Sequence, residues 1–232
     1  AYNVVHESGT WEVSEGGGSG VGGEGIDVKE ASHHGSVHHN YIYNLSRLGL
    51  YCDAWASDLS DISFHHNVVH DCFHGMALGC EAGGTVRDIR IHNNLFYRNR
   101  GLGIVLSSWG MSGSKESISI ANNTIYRCLA KGIDLGTELH GDIGIVNNII
   151  WESGEGEQGH LDTGDAWNVR LGNNLVATDP RFVDPTKGDF RLSAASPAID
   201  AGADVEAPEV DLNGDSRRSG DAIDLGAYEF QR

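Results

Sequence analysis

Proline is scarce in this chain and confined to one end: Pro180, Pro185, Pro197 and Pro208 are the four. The first 179 residues therefore never lose a backbone donor to proline, and every position can join a hydrogen-bonded ladder. Cationic residues are few as well, 16 Lys and Arg against 33 Asp and Glu, for a formal net charge of −17. That balance argues against nucleic acid and anionic membranes as partners. It also argues against an anionic polysaccharide, unless a cation such as Ca²⁺ mediates. No apolar run reaches membrane-spanning length, and no segment has the features of a signal peptide. The four cysteines form neither a C-x-x-C motif nor a Cys/His metal spacing. Cys52 and Cys80 fall at equivalent places in adjacent segments, and Cys72 and Cys128 each follow a recurring asparagine by five residues. Buried free thiols are the expectation. A Cys52–Cys80 bridge, the alternative, would need poor geometry from two parallel side chains.

What the chain has instead is 32 glycines and an asparagine that returns at a near-constant step. The segments begin at Asn3, Asn40, Asn67, Asn94, Asn123, Asn148 and Asn174, each followed by two or three apolar or aromatic residues. A period of this size signals stacked repeats. Within each repeat, short alternating runs such as Ile62, Phe64 and Ile89, Ile91 are separated by Gly, Asn and Ser. That is strand chemistry with turn punctuation, and no repeat holds a helical stripe. The fold class expected is all-β: a right-handed parallel β-helix, a solenoid of about six to seven coils. Strands should stack at roughly 4.8 Å, with the asparagines as an internal, structural ladder.

The coils are expected over residues 1–178 and a tail over 179–232. The period ends there, and an open coil end is a sheet edge that needs cover. Two polar insertions, around 15–24 and 155–162, read as loops. The chain opens inside a coil, at Tyr2-Asn3-Val4. It is expected to be a mature domain or a fragment, with an upstream domain in a longer protein.

Aligning coils by the asparagines brings an outward column into view. Gly25-Ile-Asp-Val-Lys29, Gly49-Leu-Tyr-Cys-Asp53, Met76-Ala-Leu-Gly-Cys-Glu81 and Gly103-Ile-Val-Leu-Ser107 share one alternation. Lys29, Asp53, Glu81 and Ser107 would project outward, one per coil. Two stacked carboxylates repel, and a plain surface would avoid them or pair each with a cation. Glycoside hydrolysis needs such a pair. Asp53 and Glu81 are the candidate pair. Lys29 would keep Asp53 ionised, Tyr51, Trp55 and Trp109 would shape a sugar site, and His34 would contact substrate. The expected spacing of about 5 Å between in-register carboxylates is that of a retaining enzyme.

Twelve histidines include the pairs His33-His34, His38-His39 and His65-His66. Adjacent strand residues face opposite ways, so each pair offers one ligand per surface, and stacking or turn roles are expected. No confident metal site follows. Asp58 and Asp61 straddle a turn and could supply two oxygens to Ca²⁺, and Asp211-Leu-Asn-Gly-Asp215 is similar to the start of a calcium loop without its distal Glu. No cofactor is required by the chemistry proposed.

Two resemblances extend this reading. The tail segments Asp179-Pro-Arg-Phe, Gly188-Asp-Phe-Arg-Leu, Ser196-Pro-Ala-Ile-Asp-Ala-Gly and Asp224-Leu-Gly-Ala-Tyr-Glu-Phe resemble the ending of many bacterial right-handed, pectate-lyase-like parallel β-helix proteins. That resemblance implies the fold and a secreted, polysaccharide-related habitat. The strands Gly49–Trp55 and Cys80–Gly84 are similar to the active-site strands of the β-helix β-xylosidase family, implying Asp53 as nucleophile and Glu81 as acid/base. The chain departs from that pattern at Ala54 and at Ala82-Gly83-Gly84, and lacks the sandwich-type domain associated with the family. The leading expectation is a secreted, xylosidase-like glycosidase acting on a carbohydrate. Its rivals are a Ca²⁺-dependent polysaccharide lyase with Lys29 as base, and a non-catalytic carbohydrate-binding or cell-surface module.

Overall fold

The computed structural model describes residues 1–8, 23–107, 109, 113–138, 140–154, 159–205 and 207–232. Most of the two expected loops, at 15–22 and 155–158, lies outside the described residues. The chain winds into an all-β parallel β-helix with three faces. Its crossovers have the right-handed sense general for parallel strands. The first sheet stacks seven strands, from Val4–His6 through Tyr41–Tyr43, Val68–His70, Leu95–Tyr97, Thr124–Tyr126 and Ile149–Trp151 to Leu175–Val176. The second stacks six: Ile26–Lys29, Leu48–Asp53, His74–Gly79, Ile104–Leu106, Ile133–Asp134 and Leu161–Asp162. The third also stacks six, from His33–His38 to Trp167–Gly172. Every pairing within these sheets is parallel and in register from coil to coil, as Val69 between Ile42 and Phe96 illustrates.

The asparagine ladder runs down one corner. The backbone N–H of Asn67 donates to the Oδ1 of Asn94 at 3.0 Å, and its Nδ2 donates to the same oxygen at 3.0 Å. The same Nδ2 also donates to the carbonyl of Val37, one coil back, at 2.9 Å. Asn94, Asn123 and Asn148 repeat this pattern. Each amide thus satisfies turn backbone on both sides, which buried peptide groups require. The residue before each ladder asparagine, from Tyr2 to Asn173, sits in the left-handed region, with φ between 49° and 58°. Asn dominates the later coils there because its side chain tolerates that conformation.

A second ladder is made of glycine. Gly25, Gly49, Gly75 and Gly103 each open a strand of the second sheet. A Cβ on any of them would run into the carbonyl oxygen of the next glycine along the axis. Inside, Leu50, Cys52, Met76, Leu78, Ile104 and Leu106 join Phe64, Ile91 and Phe96 in one continuous core. All four cysteines are buried thiols, none of them in a disulfide. Burial pushes the thiols of Cys72 and Cys128 up to about 12, so neither is a thiolate at neutral pH.

The tail is where the fold departs from expectation. It does not simply close the last coil but lies along the flank. Its backbone carbonyls at Val210, Asp224, Ala203 and Ala201 accept from Asn93, Asn122, Asn147 and Asn173 in turn, and Asp211 meets His66. The reason is the left-handed column: it aims one polar side chain per coil outward, and a strap of chain satisfies them. The Asp211–Asp215 run is a turn lock, since Asp211 Oδ1 accepts the amides of Asn213 and Asp215 at 2.8 and 2.9 Å. Buried Arg217 ties the strap down, donating to Asn93 Oδ1 at 2.6 Å and to the Gly226 carbonyl at 2.8 Å.

Candidate functional site

The outer face of the second sheet carries the candidate site. Lys29 pairs in register with Asp53, and Asp53 with Gly79. The parallel outward column is Asp27, Tyr51, Ala77, Val105, Asp134 and Asp162. Glu81 is therefore not the neighbour of Asp53 that the local Cys-acid repeat suggests. The core positions decide the register: Leu50 and Cys52 sit beside Met76 and Leu78, so Cys80 falls past the strand end and carries Glu81 into the turn. Ser107 does follow the column, its amide donating to the Leu78 carbonyl at 3.0 Å.

Glu81 is nonetheless drawn to the site by another residue. The Tyr51 hydroxyl donates to Glu81 Oε1. It occupies the space above Gly79, where a Cβ would collide with it. Burial first, then this hydrogen bond and the surrounding carboxylates, raise the tyrosine pKa far above its usual range, so Tyr51 stays a neutral donor. Asp53 is only 2% exposed. Its Oδ2 accepts from Lys29 Nζ at 2.5 Å, and its Oδ1 accepts from the Trp55 amide at 3.1 Å. The same ammonium holds Asp27 at 2.8 Å. Burial alone would lower the Lys29 pKa, but its bonds to Asp27 and Asp53 outweigh burial and raise it. For Asp27 burial wins, and its pKa is raised.

Between the charges lies an apolar strip of Leu48, Tyr51, Ala77 and Val105. Trp109, half exposed, stands edge-on to Tyr51 at 5.9 Å and lies over His74 at 6.4 Å. His74 Nδ1 accepts from the Leu102 amide at 2.8 Å, which places its ring proton on Nε2. Burial holds His74 down to about 4, so the ring is neutral at neutral pH. Trp55 is equally exposed, and its amide is the contact it makes to Asp53.

Next to the strip a cleft of about 290 Å³ opens, lined by His74, Ser107, Trp109, Lys131, Asp134 and Asp162 among others. Here are the in-register carboxylates: Asp134 stacks on Asp162, and Lys131 Nζ bridges them at 3.0 and 2.7 Å. The Oδ1 of each accepts the amide two residues on, from Gly136 and Gly164, both at 3.0 Å. Asp53 and Trp55 show the same turn. The recurrence of Asp-x-Gly at Asp134 and Asp162 was the signal in the sequence that would have found this second clamp. A larger hollow of about 450 Å³ lies among Tyr43, Asn44, Asp71 and Arg100. Its one carboxylate is already held by Arg98 at 2.6 Å.

His34 is not brought to this face. The chain turns the corner after Lys29, so His34 sits on the third sheet, its Nδ1 at 2.5 Å from Asp61. Asp61 is also held by Arg90 at 3.1 Å. Asp58 and Asp61 do not belong to the one cluster of ligand-type side chains, among the described residues, tight enough to hold a single ion.

No protein-family model matches the chain, and no curated protein matches it. Among solved structures it is similar to pectate lyase Pel9A, at 15% identity and a TM-score of 0.36. The match covers 90% of this chain and 73% of that one. At that level the likeness carries no argument about activity. No helix among the described residues is long and apolar enough to cross a membrane.

Proposed function

We propose that the second sheet's outer face is a carbohydrate-processing site and that the protein is a glycoside hydrolase of the secreted, polysaccharide-acting kind. The observation that carries this reading is the placement of Glu81 by a neutral, buried Tyr51 hydroxyl near an aspartate that Lys29 holds. One carboxyl group would exchange a proton with the glycosidic oxygen while the other remains charged. Trp109 and the apolar strip give a sugar ring a surface to stack on, and the Lys131–Asp134–Asp162 clamp offers charged partners for its hydroxyls.

The register bears on stereochemistry. Asp53 closes its strand, whereas Glu81 lies in the turn two residues past Gly79, so the two carboxylates are not stacked in register. The close, retaining spacing expected from in-register stacking therefore loses its basis. A lyase reaction with Lys29 as base is disfavoured, because a lysine whose pKa is raised keeps its proton at neutral pH.

The test is a screen of glycosides, xyloside and arabinoside included, and of neutral polysaccharides such as xylan and arabinan. Glu81→Gln, Asp53→Asn and Gly79→Ala serve as comparison variants. Turnover should fall in all three. Gly79→Ala should fold normally, because its Cβ displaces only the far end of Tyr51. Nuclear magnetic resonance of the first-formed sugar decides between an inverted and a retained anomer. Unsaturated, ultraviolet-absorbing products would mean a lyase, and sugar binding without turnover would mean a binding module.

A further inference from the structure

On the opposite side from the cleft, two columns of aromatic rings run past the asparagine corner. His38, His65 and His92 stack at 4.9 Å steps, and Tyr2, His39 and His66 stack at 4.8 and 4.7 Å. Adjacent strand residues should point apart, yet these two columns face each other. The left-handed backbone of His39 and His66, φ 53° at each, swings the second ring of each pair back beside the first. Nitrogen then meets nitrogen: Nδ1 of His38 and His39 are 2.9 Å apart, and Nδ1 of His65 and His66 are 2.8 Å apart. One ring nitrogen from each of His39, His65 and His66 falls within 4.8 Å of the others.

The hydrogen bonds around the cluster assign its protons. His66 Nε2 is 2.8 Å from the Asp211 carbonyl, which can only accept, so Nε2 carries the proton and Nδ1 a lone pair. His65 Nδ1 then donates to it, and Ser36 Oγ donates to His65 Nε2 at 2.9 Å. A ring nitrogen turned toward a shared point, with the other one donating to a backbone carbonyl, is the arrangement of a metal-ligating histidine. His65 reaches it by moving its single proton from Nδ1 to Nε2, where Ser36 Oγ accepts.

We propose that His39, His65 and His66 form a binding site for a late first-row divalent cation, Zn²⁺ being the probe of choice. Imidazole donors without carboxylate select such ions over Ca²⁺ or Mg²⁺. Tetrahedral Zn–N bonds of about 2.0–2.1 Å set ligand nitrogens roughly 3.4 Å apart. The His65–His66 pair is already closer than that, and the His39 ring has to tilt toward it. Of the cations near the cluster, Arg217 lies against Glu229 at 3.6 Å. Because His66 also holds the Asp211 carbonyl, a bound ion would clip the early coils to the tail strap.

The experiment is calorimetric titration of the untagged, chelator-stripped chain with Zn²⁺. One saturable site per chain is expected, lost in His39→Ala and His65→Ala, retained in His34→Ala, and weakened by about 10-fold in Ser36→Ala, which removes an outer partner. Absence of saturable binding would overturn the proposal, as would a site indifferent to His39 and His65. Should an alanine variant fail to fold, anomalous diffraction at the zinc edge from wild-type crystals decides: a peak between these rings supports the site, and a peak elsewhere or none refutes it.

Discussion

Asn94→Ala is the sharpest test of the ladder. Asn94 is fully buried, and its Oδ1 accepts both the backbone N–H and the Nδ2 of Asn67 at 3.0 Å. Its own Nδ2 donates to Phe64 O at 2.9 Å and to Asn123 Oδ1 at 3.0 Å. Alanine removes all four bonds, but the losses are unequal. Asn67 Nδ2 keeps the Val37 carbonyl, and Asn123 Oδ1 keeps the Asn94 amide. One group is orphaned in the interior, the Asn67 N–H, while the Phe64 carbonyl keeps its place in the ladder with the next strand. At about 1–3 kcal/mol for a buried, unsatisfied group, the cost is about 2 kcal/mol. Asn3→Ala is the matched control. Asn3 is exposed and its side chain makes one bond, Nδ2 donating to Asn40 Oδ1, so water replaces it and the cost should stay at ~0.5 kcal/mol. Urea unfolding followed by circular dichroism measures both. A loss under about 1 kcal/mol for Asn94→Ala, or equal losses for the two variants, would refute the argument that coil-to-coil amide bonding holds the corner.

Two further outcomes follow from charge placement. Lys29→Met leaves Asp27 and Asp53 without their shared cation, so turnover should drop and the acidic limb of the pH–rate profile should move to higher pH. An unchanged profile would reduce Lys29 to a surface residue. Burial raises the Glu229 pKa from 4.5 to about 7, so the folded state favours its protonated form. The stability this contributes is complete below pH 4.5 and lost as pH rises through 7. Wild type should therefore lose stability relative to Glu229→Gln across that window in parallel denaturant titrations, and a pH-independent difference would contradict the burial assigned to Glu229.

Much of the fold is legible in the sequence because a solenoid repeats its constraints. The asparagine step, the inward Leu, Ile and Cys positions and the want of proline before residue 180 all speak for the same stacked strands, and each ladder contact lies one coil away. In the candidate site, the shared outer face of Lys29, Asp53 and Tyr51 was legible, because their strands share one alternation. It was not legible at Glu81. A repeated Cys-acid dipeptide looks like register, but register follows the core, and Met76 and Leu78 fill the places opposite Leu50 and Cys52. Only the assembled structure decides that Tyr51 reaches Glu81 over Gly79, and that Asp134 and Asp162 meet on Lys131. Likewise, strand alternation sends His65 and His66 to opposite faces, and a single left-handed residue reverses that. Local sequence determines which way a side chain points while the backbone stays extended. Backbone turns and core-driven register, both settled by packing across coils, decide what it meets.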